Sequence, residues 1–318
     1  MSSESENDLG REVDASMRMF EKSKVGPAAA ITPMVPARVL LVMDGSSQDQ
    51  TSINAAQYLR DRFDTETLIL DARDRPEDID PEDIIDLAVE RTNSVSGSRP
   101  IKRAEGDSYD AVLTALETHQ VDLVIVPCPF ARSFEHVGAD SAGTVIDVLL
   151  SRCNRPMLVI RRDDQQVEQC VGSVSMVVGG ECDMEFRAAA WAFGLASEKA
   201  NVTLDLVVEK EQYQNIRSII EALTPEAKFD TEQFREALTK THQAIHDAMS
   251  KTANATGVSY RMRPQAGESA PPNLMTESTK MLIVMPLEVD DRFGQGFVQD
   301  RIRRSPHPVL VVPGHVTN

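Results

Sequence analysis

Tryptophan occurs once and aromatic residues make up 5% of the 318; there are four cysteines, and no apolar run approaches the length of a bilayer span. Each scarcity excludes something. None of Cys128, Cys153, Cys170 and Cys182 is paired as C-x-x-C, so they form neither a disulfide framework nor a zinc or dithiol motif. They read as reduced thiols, with Cys153 in an apolar helical pattern and so a core residue. A membrane helix needs about 20 consecutive apolar residues, whereas the stretch Leu123 to Phe130 is interrupted by prolines. The N-terminus MSSESENDLGREVD is acidic where an export signal requires a basic and then an apolar segment, so a cytoplasmic location is expected. Cations are also short: 33 Lys and Arg face 50 Asp and Glu, a net charge of −17. Such a field repels phosphate backbones and anionic headgroups, so neither nucleic acid nor a membrane is an expected partner.

What remains is a folding chain. Hydrophobic residues make up 41% and charged residues 26%, close to globular averages. At about 150 residues per domain the length predicts two domains. Residues 1–36 mix acidic and serine residues with the proline-broken GPAAAITPMVP and read as an extension, partly disordered, with a short amphipathic helix around Val13 to Phe20.

From Arg38 the pattern changes. VLLVM (Val39 to Met43) is apolar on both faces, as in a central parallel strand, and closes in the turn Asp44-Gly45-Ser46-Ser47. A helix carrying Ile53, Ala56, Leu59 and Phe63 follows, then the strand TLIL (Thr67 to Leu70). Beyond an acidic stretch, with a helix start predicted at Glu82, come a strand near Pro100 to Arg103, a helix from Asp107 to His119 and the strand VDLVIV (Val121 to Val126). A helix from Gly143 to Cys153 and the strand PMLVI (Pro156 to Ile160) end this half. After the polar linker RRDDQQVEQ the order recurs in VSMVV (Val174 to Val178), a helix with Ala188, Trp191 and Leu195, and VTLDLVV (Val202 to Val208). A long helical region, Gln212 to Ala253, precedes MLIVM and PVLVV. The segments RCNRPMLVIR and RSPHPVLVVP form an internal repeat. The fold class is therefore α/β, in two tandem doubly wound domains at 37–162 and 172–314. Residues 163–171 are the linker, and each domain is an open, mostly parallel five-stranded sheet with helices on both faces.

Ligands in such sheets sit beyond the carboxyl ends of the strands, where the connection direction switches. Here those positions are Asp44-Gly45 and the segment after Val126. Asp44 could accept a hydrogen bond from an adenine amino group or a ribose hydroxyl, with Gly45 allowing close backbone approach; taken alone, it reads first as a turn or cap residue. Gly143-Thr144 opens a helix whose free N–H groups can hold phosphate, or whose first turn Thr144 or Ser141 simply caps.

VLLVMDGS, LVIV, Gly143-Thr144 and NRPMLVIR, in that order, resemble the universal stress protein family in a tandem, two-domain form, over nearly all of residues 37–314. In nucleotide-binding members the phosphate loop reads G-x2-G-x9-G-[ST] and the aspartate of the first strand contacts the adenine end. The resemblance implies an adenine nucleotide, ATP or AMP, in domain 1 alone, with Asp44 and Gly45 at the base and Gly143 and Thr144 at the phosphates. It also implies pairing of Pro156 to Ile160 with Pro308 to Val312 inside one chain, and dimers of chains. The first two loop glycines have no counterpart: counting back from Gly143 they fall on Phe130 and Ser133, and counting forward from the strand near Cys128 and Ala131. Asp140 adds an anion there, with Arg132 and His136 in compensation. In domain 2, Gly179 stands where Asp44 does, so that site is expected to be degenerate, with Gly294 and Gly296 as remnants.

No other chemistry is well supported. Gly138 and Gly143 have phosphate-loop spacing, but Thr144 stands where lysine is required. Ala139-x-Ser141-x-Gly143 lies too far past its strand for a nucleophile elbow. His242 and His246, one helical turn apart, read as exposed residues rather than metal ligands, and Arg301, Arg303 and Arg304 as a solvated helix end or internal ion pairs. No catalytic or metal residue is assigned. The expected function is a regulatory or binding protein of the stress type, not an enzyme. The alternatives are an interaction module with both pockets closed, and an adenine-nucleotide hydrolase-like enzyme.

Overall fold

The computed structural model describes residues 28–74, 86–132, 141–180, 182–223, 230–265 and 280–314. The expected helices at Val13 to Phe20 and at Glu82, and the loop residues Ser133, His136, Gly138, Ala139 and Asp140, lie outside them.

The first half runs β1 (Arg38–Met43), α1 (Gln48–Phe63), β2 (Glu66–Asp71), a short α2 (Leu87–Glu90), β3 (Arg99–Ile101), α3 (Ser108–His119), β4 (Leu123–Pro127), α4 (Thr144–Arg152) and β5 (Met157–Ile160). β1 pairs in parallel with β2 on one side and β4 on the other. That position buries both of its faces and explains its unbroken aliphatic run. Asp64 and Gln120, in the left-handed conformation, stop α1 and α3. The second half begins with α5 (Val167–Cys170) and repeats the plan with β6 (Ser173–Val178), α6 (Glu185–Leu195) and β7 (Asn201–Val207). It continues through α7 (Lys210–Leu223), α8 (Thr231–Thr241), α9 (Gln243–Thr256), β8 (Ser259–Gln265), β9 (Leu282–Glu288), α10 (Arg292–Arg304) and β10 (Val309–Gly314).

All ten strands form one sheet, ordered β3-β2-β1-β4-β5-β10-β9-β6-β7-β8. Each half repeats the same internal order, and β5 with β10 is the antiparallel junction, pairing Met157 with Val311, Leu158 with Leu310 and Val159 with Val309. The two closing strands thus meet as expected, turning two five-stranded sheets into one. Helices cover both faces: α1, α5, α6 and α9 pack on one around Leu41, Trp191 and Met249, and α3, α4 and α10 on the other around Val124, Ile146 and Ile302.

Three features depart from the expectations. The linker is woven into the fold: Gln48 donates to Arg161 O, Thr51 Oγ1 to Asp163 O, and Gln165 accepts from Arg161 N, while α5 buries Val167 and Cys170. The long helical region is broken into α7, α8 and α9. His242 is buried at the second break, with Nδ1 on Leu238 O and Nε2 3.4 Å from Glu185 Oε1, while His246 bonds Tyr260 OH; the two histidines face different partners and are not an exposed pair. Finally, residues 28–37 form a strap over the second half, with Met34 N on Ala190 O and Ile31 N on Thr252 Oγ1. A side chain at Gly194 would collide with Met34 O.

Candidate functional site

The crevice between the ends of β1 and β4 gathers all four residues expected there. Gly45, with φ +78, is approached by Arg73 and Leu87 side chains. Gly143 (φ +88) is the residue before α4; a Cβ there would lie 3.8 Å from Phe130 N, and its own N–H is held by Ser141 Oγ. Thr144 is exposed at the first helical position, and no side chain caps the helix. Asp44 is 3% exposed. Its Oδ1 accepts from Ser46 N at 2.9 Å, and its Oδ2 reaches across the crevice to Ala131 N at 2.6 Å. The carboxylate therefore clasps the loop after β1 to the loop after β4, with both oxygens engaged.

The surroundings are acidic. Asp49 accepts from Asp44 N and Gly45 N. Burial and the adjacent Asp44 charge raise its pKa to about 7, against the pull of those two N–H groups. Arg73 grips Asp71 through Nε and Nη2. Burial pushes Asp71 up, but the bonds from Arg73 and Leu87 N outweigh it and hold the carboxyl below its ordinary range. Asp86 and Asp49 also act on Arg73.

Sequence reasoning missed Arg161, 2% exposed, whose Nη1 contacts Cys128 Sγ at 3.1 Å and Ser141 O at 3.2 Å beneath the same crevice. Its position at the end of the closing strand was the available signal. Cys128, Cys153 and Cys170 are pushed up to about 11 by burial and Cys182 to about 12, so none is a thiolate near neutrality. Among the described residues no three His, Cys, Asp or Glu are placed to share a metal ion.

The second crevice is filled differently. A Cβ on Gly179 would lie 3.0 Å from the Phe297 ring, which therefore occupies the space where an aspartate side chain would project. Arg301 stacks on that ring and pairs with Glu209. Of the basic cluster, Arg301 is thus buried, while Arg303 and Arg304 pair with Asp300. Gly294 and Gly296 lie inside α10, where Asp291 caps Gly294 N; they are helix residues, not loop remnants. Glu288 Oε1, at the end of β9, accepts from Asp183 N in the loop after β6. A carboxylate therefore spans each crevice, from opposite sides.

No protein-family model and no curated protein matches the chain. Solved structures do. A universal stress protein from Archaeoglobus fulgidus DSM 4304 superposes with a TM-score of 0.58 at 16% identity, over 88% of this chain and 97% of that one. A functionally unknown protein from Pseudomonas aeruginosa PAO1 gives 0.56 at 13% identity, over 88% and 93%. A chain from Pseudomonas aeruginosa UCBPP-PA14, provisionally named a universal stress protein, gives 0.56 at 13%, over 87% and 93%. The fold is that of the universal stress proteins, present here twice in one chain.

Proposed function

We propose that the protein is a non-catalytic regulatory module of the universal-stress type, cytoplasmic, which acts through its surfaces and neither holds nor hydrolyses a nucleoside triphosphate. The observation that carries this reading is the Asp44 clasp: a base or ribose seeking that carboxylate has to displace Ala131 N from a 2.6 Å hydrogen bond. The charge supports it. Asp71, Asp49 and Asp86 act on Arg73, and Asp44 and Asp147 act with Arg161 on the Cys128 thiol, so carboxylates outnumber guanidiniums around the crevice and disfavour a polyanionic ligand.

A second reading, an adenine nucleotide such as ATP or AMP in the first half alone, is favoured by one observation. The N-terminus of α4 has no side-chain cap and faces the loop that Asp44 holds. Calorimetric titration of nucleotide-stripped protein with ATP, AMP and adenosine, with and without Mg²⁺, separates the two. The proposal expects no saturable heat and no phosphate release. Binding near one site per chain, abolished in Asp44→Ala, would establish the second reading instead, and phosphate release with Mg²⁺ would make the protein an enzyme.

A further inference from the structure

α7 is held to the fold at one end. Its sequence KEQYQNIRSIIEAL buries Tyr213 alone, which meets Phe234 of α8 edge to face and, with Ile216, closes a small apolar cluster over Val208. The helix then runs on for about two more turns and carries aliphatic side chains into solvent. Ile219 is 57% exposed, Ile220 37% and Leu223 78%. Of the eight large hydrophobic side chains exposed among the described residues, three thus lie on one stretch of one helix. At 3.6 residues per turn, Ile216, Ile219, Ile220 and Leu223 share an arc of about 100°, the width of a stripe that normally faces a core.

The stripe is symmetric about its own centre. Ile216 and Leu223, like Ile219 and Ile220, stand equally far from the point midway between residues 219 and 220. A two-fold axis through that point lays the stripe antiparallel on a copy of itself, Ile216 on the partner's Leu223 and Ile219 on the partner's Ile220, as an isologous contact requires. Charge fits the same operation. α7 carries two cations, Lys210 and Arg217, and two anions, Glu211 and Glu221, so it is neutral in a chain of net charge −17, and two copies can approach here without repulsion. Arg217 and Glu221, an exposed ion pair within the helix, flank the stripe, and the axis brings the partner's Glu221 within one residue of the position facing Arg217. The closing strands β5 and β10 are already paired with each other, so association of chains needs another surface. We propose that α7 is that surface, an antiparallel helix pair joining two copies of this chain. The contact does not depend on whether the Asp44 crevice admits a ligand.

The test is sedimentation velocity of the full chain over a dilution series. The stripe is small beside the about 800 Å² per partner of a standard interface, so the dimer should be reversible and pass from two chains to one on dilution. Ile219→Glu combined with Leu223→Glu, at exposed positions where glutamate suits a helix, should raise the dissociation constant at least about tenfold at unchanged far-UV circular dichroism. Phe293→Glu, still more exposed but on α10, should leave it unchanged. Arg217→Glu and Glu221→Arg each set like charges against their copies and should weaken self-association. An equimolar mixture of these two variants should restore it, which repair of an ion pair inside one helix cannot do. A single chain at every concentration up to about 1 mM would overturn the proposal. So would a dimer that survives the double substitution, or a mixture that associates no better than its components.

Discussion

At the scale of single residues, Asp44 and Asp49 make the loop after β1 both rigid and titratable. Asp44 accepts two backbone N–H groups from residues that are not buried, and each hydrogen bond lost where water can partly replace it costs about 0.5–1.5 kcal/mol. Asp44→Ala should therefore lose roughly 1–3 kcal/mol in a denaturant titration, and a loss below about 0.5 kcal/mol would mean that the clasp is dispensable. Asp49 titrates near 7 in the fold against 3.8 without it. The folded state thus holds a proton that the unfolded chain releases, and stability from this group is complete below pH 4 and declines as pH rises toward 7, by at most a few kcal/mol. Asp71 has the opposite sign, but its contribution is lost only in more acidic solution, outside that window. Asp49→Asn cannot ionise, and its amide forfeits the bond from Gly45 N. It should be the less stable protein at pH 5 and close or reverse the gap by pH 8. Parallel stability profiles for the two proteins would show that Asp49 does not carry the proton. The place of Asp44 at a strand end was legible, because an aliphatic run closed by Asp-Gly marks a turn, whereas its bond to Ala131 N across the crevice was not. Arg161 and Phe297 were not, since a long side chain's destination depends on packing that no local pattern encodes.

Among the elements, those buried on both faces were the readable ones. β1, β4, β5, β9 and β10 each appear as short unbroken aliphatic runs, and their depth in the sheet is the cause. β8 is an edge strand whose Arg261 and Arg263 bond Thr203 and Asp205 on β7, a polar ladder at the register positions where β2 and β3 set Leu68 and Leu70 beside Arg99 and Ile101. Its alternation is masked by charge, and the sequence pattern assigns SYRMRPQ to no element. The break at His242 was hidden as well, because no proline or glycine marks it and its side chain is buried against Glu185, far away in the sequence. His242→Ala removes the bond to Leu238 O and the contact with Glu185 from a buried place, and should cost about 1–3 kcal/mol in a denaturant titration; an unchanged midpoint would show that the break does not depend on it. The strap makes a sharper case, since it lies directly on Gly194. Gly194→Val should lift residues 31–36 from α6, costing roughly 1–3 kcal/mol and opening that segment to hydrogen exchange. Unaltered protection of Met34, whose amide bonds Ala190 O, would show that α6 can yield instead.

For the whole molecule, the question is whether two copies of a fold behave as one body. Across the seam the sheet is continuous through β5 and β10, and both hydrophobic cores contain residues of each half. Polar ties cross it too: Arg62 of α1 donates to Leu195 O and Ala196 O at the end of α6, and Gln165 reaches Ser305 O. Edge strands buried in this way cannot be exposed singly, because opening either half strips Leu158 or Leu310 of its partner and leaves a bare hydrogen-bonding edge. Unfolding should then be a single transition. The sequence provides a direct probe, since its one tryptophan, Trp191, is buried in the second half while far-UV circular dichroism reports both. In a urea titration the two signals should trace the same curve, with one midpoint and one slope. A fluorescence transition displaced from the dichroism transition would mean that the halves unfold separately and that the shared sheet adds little to either.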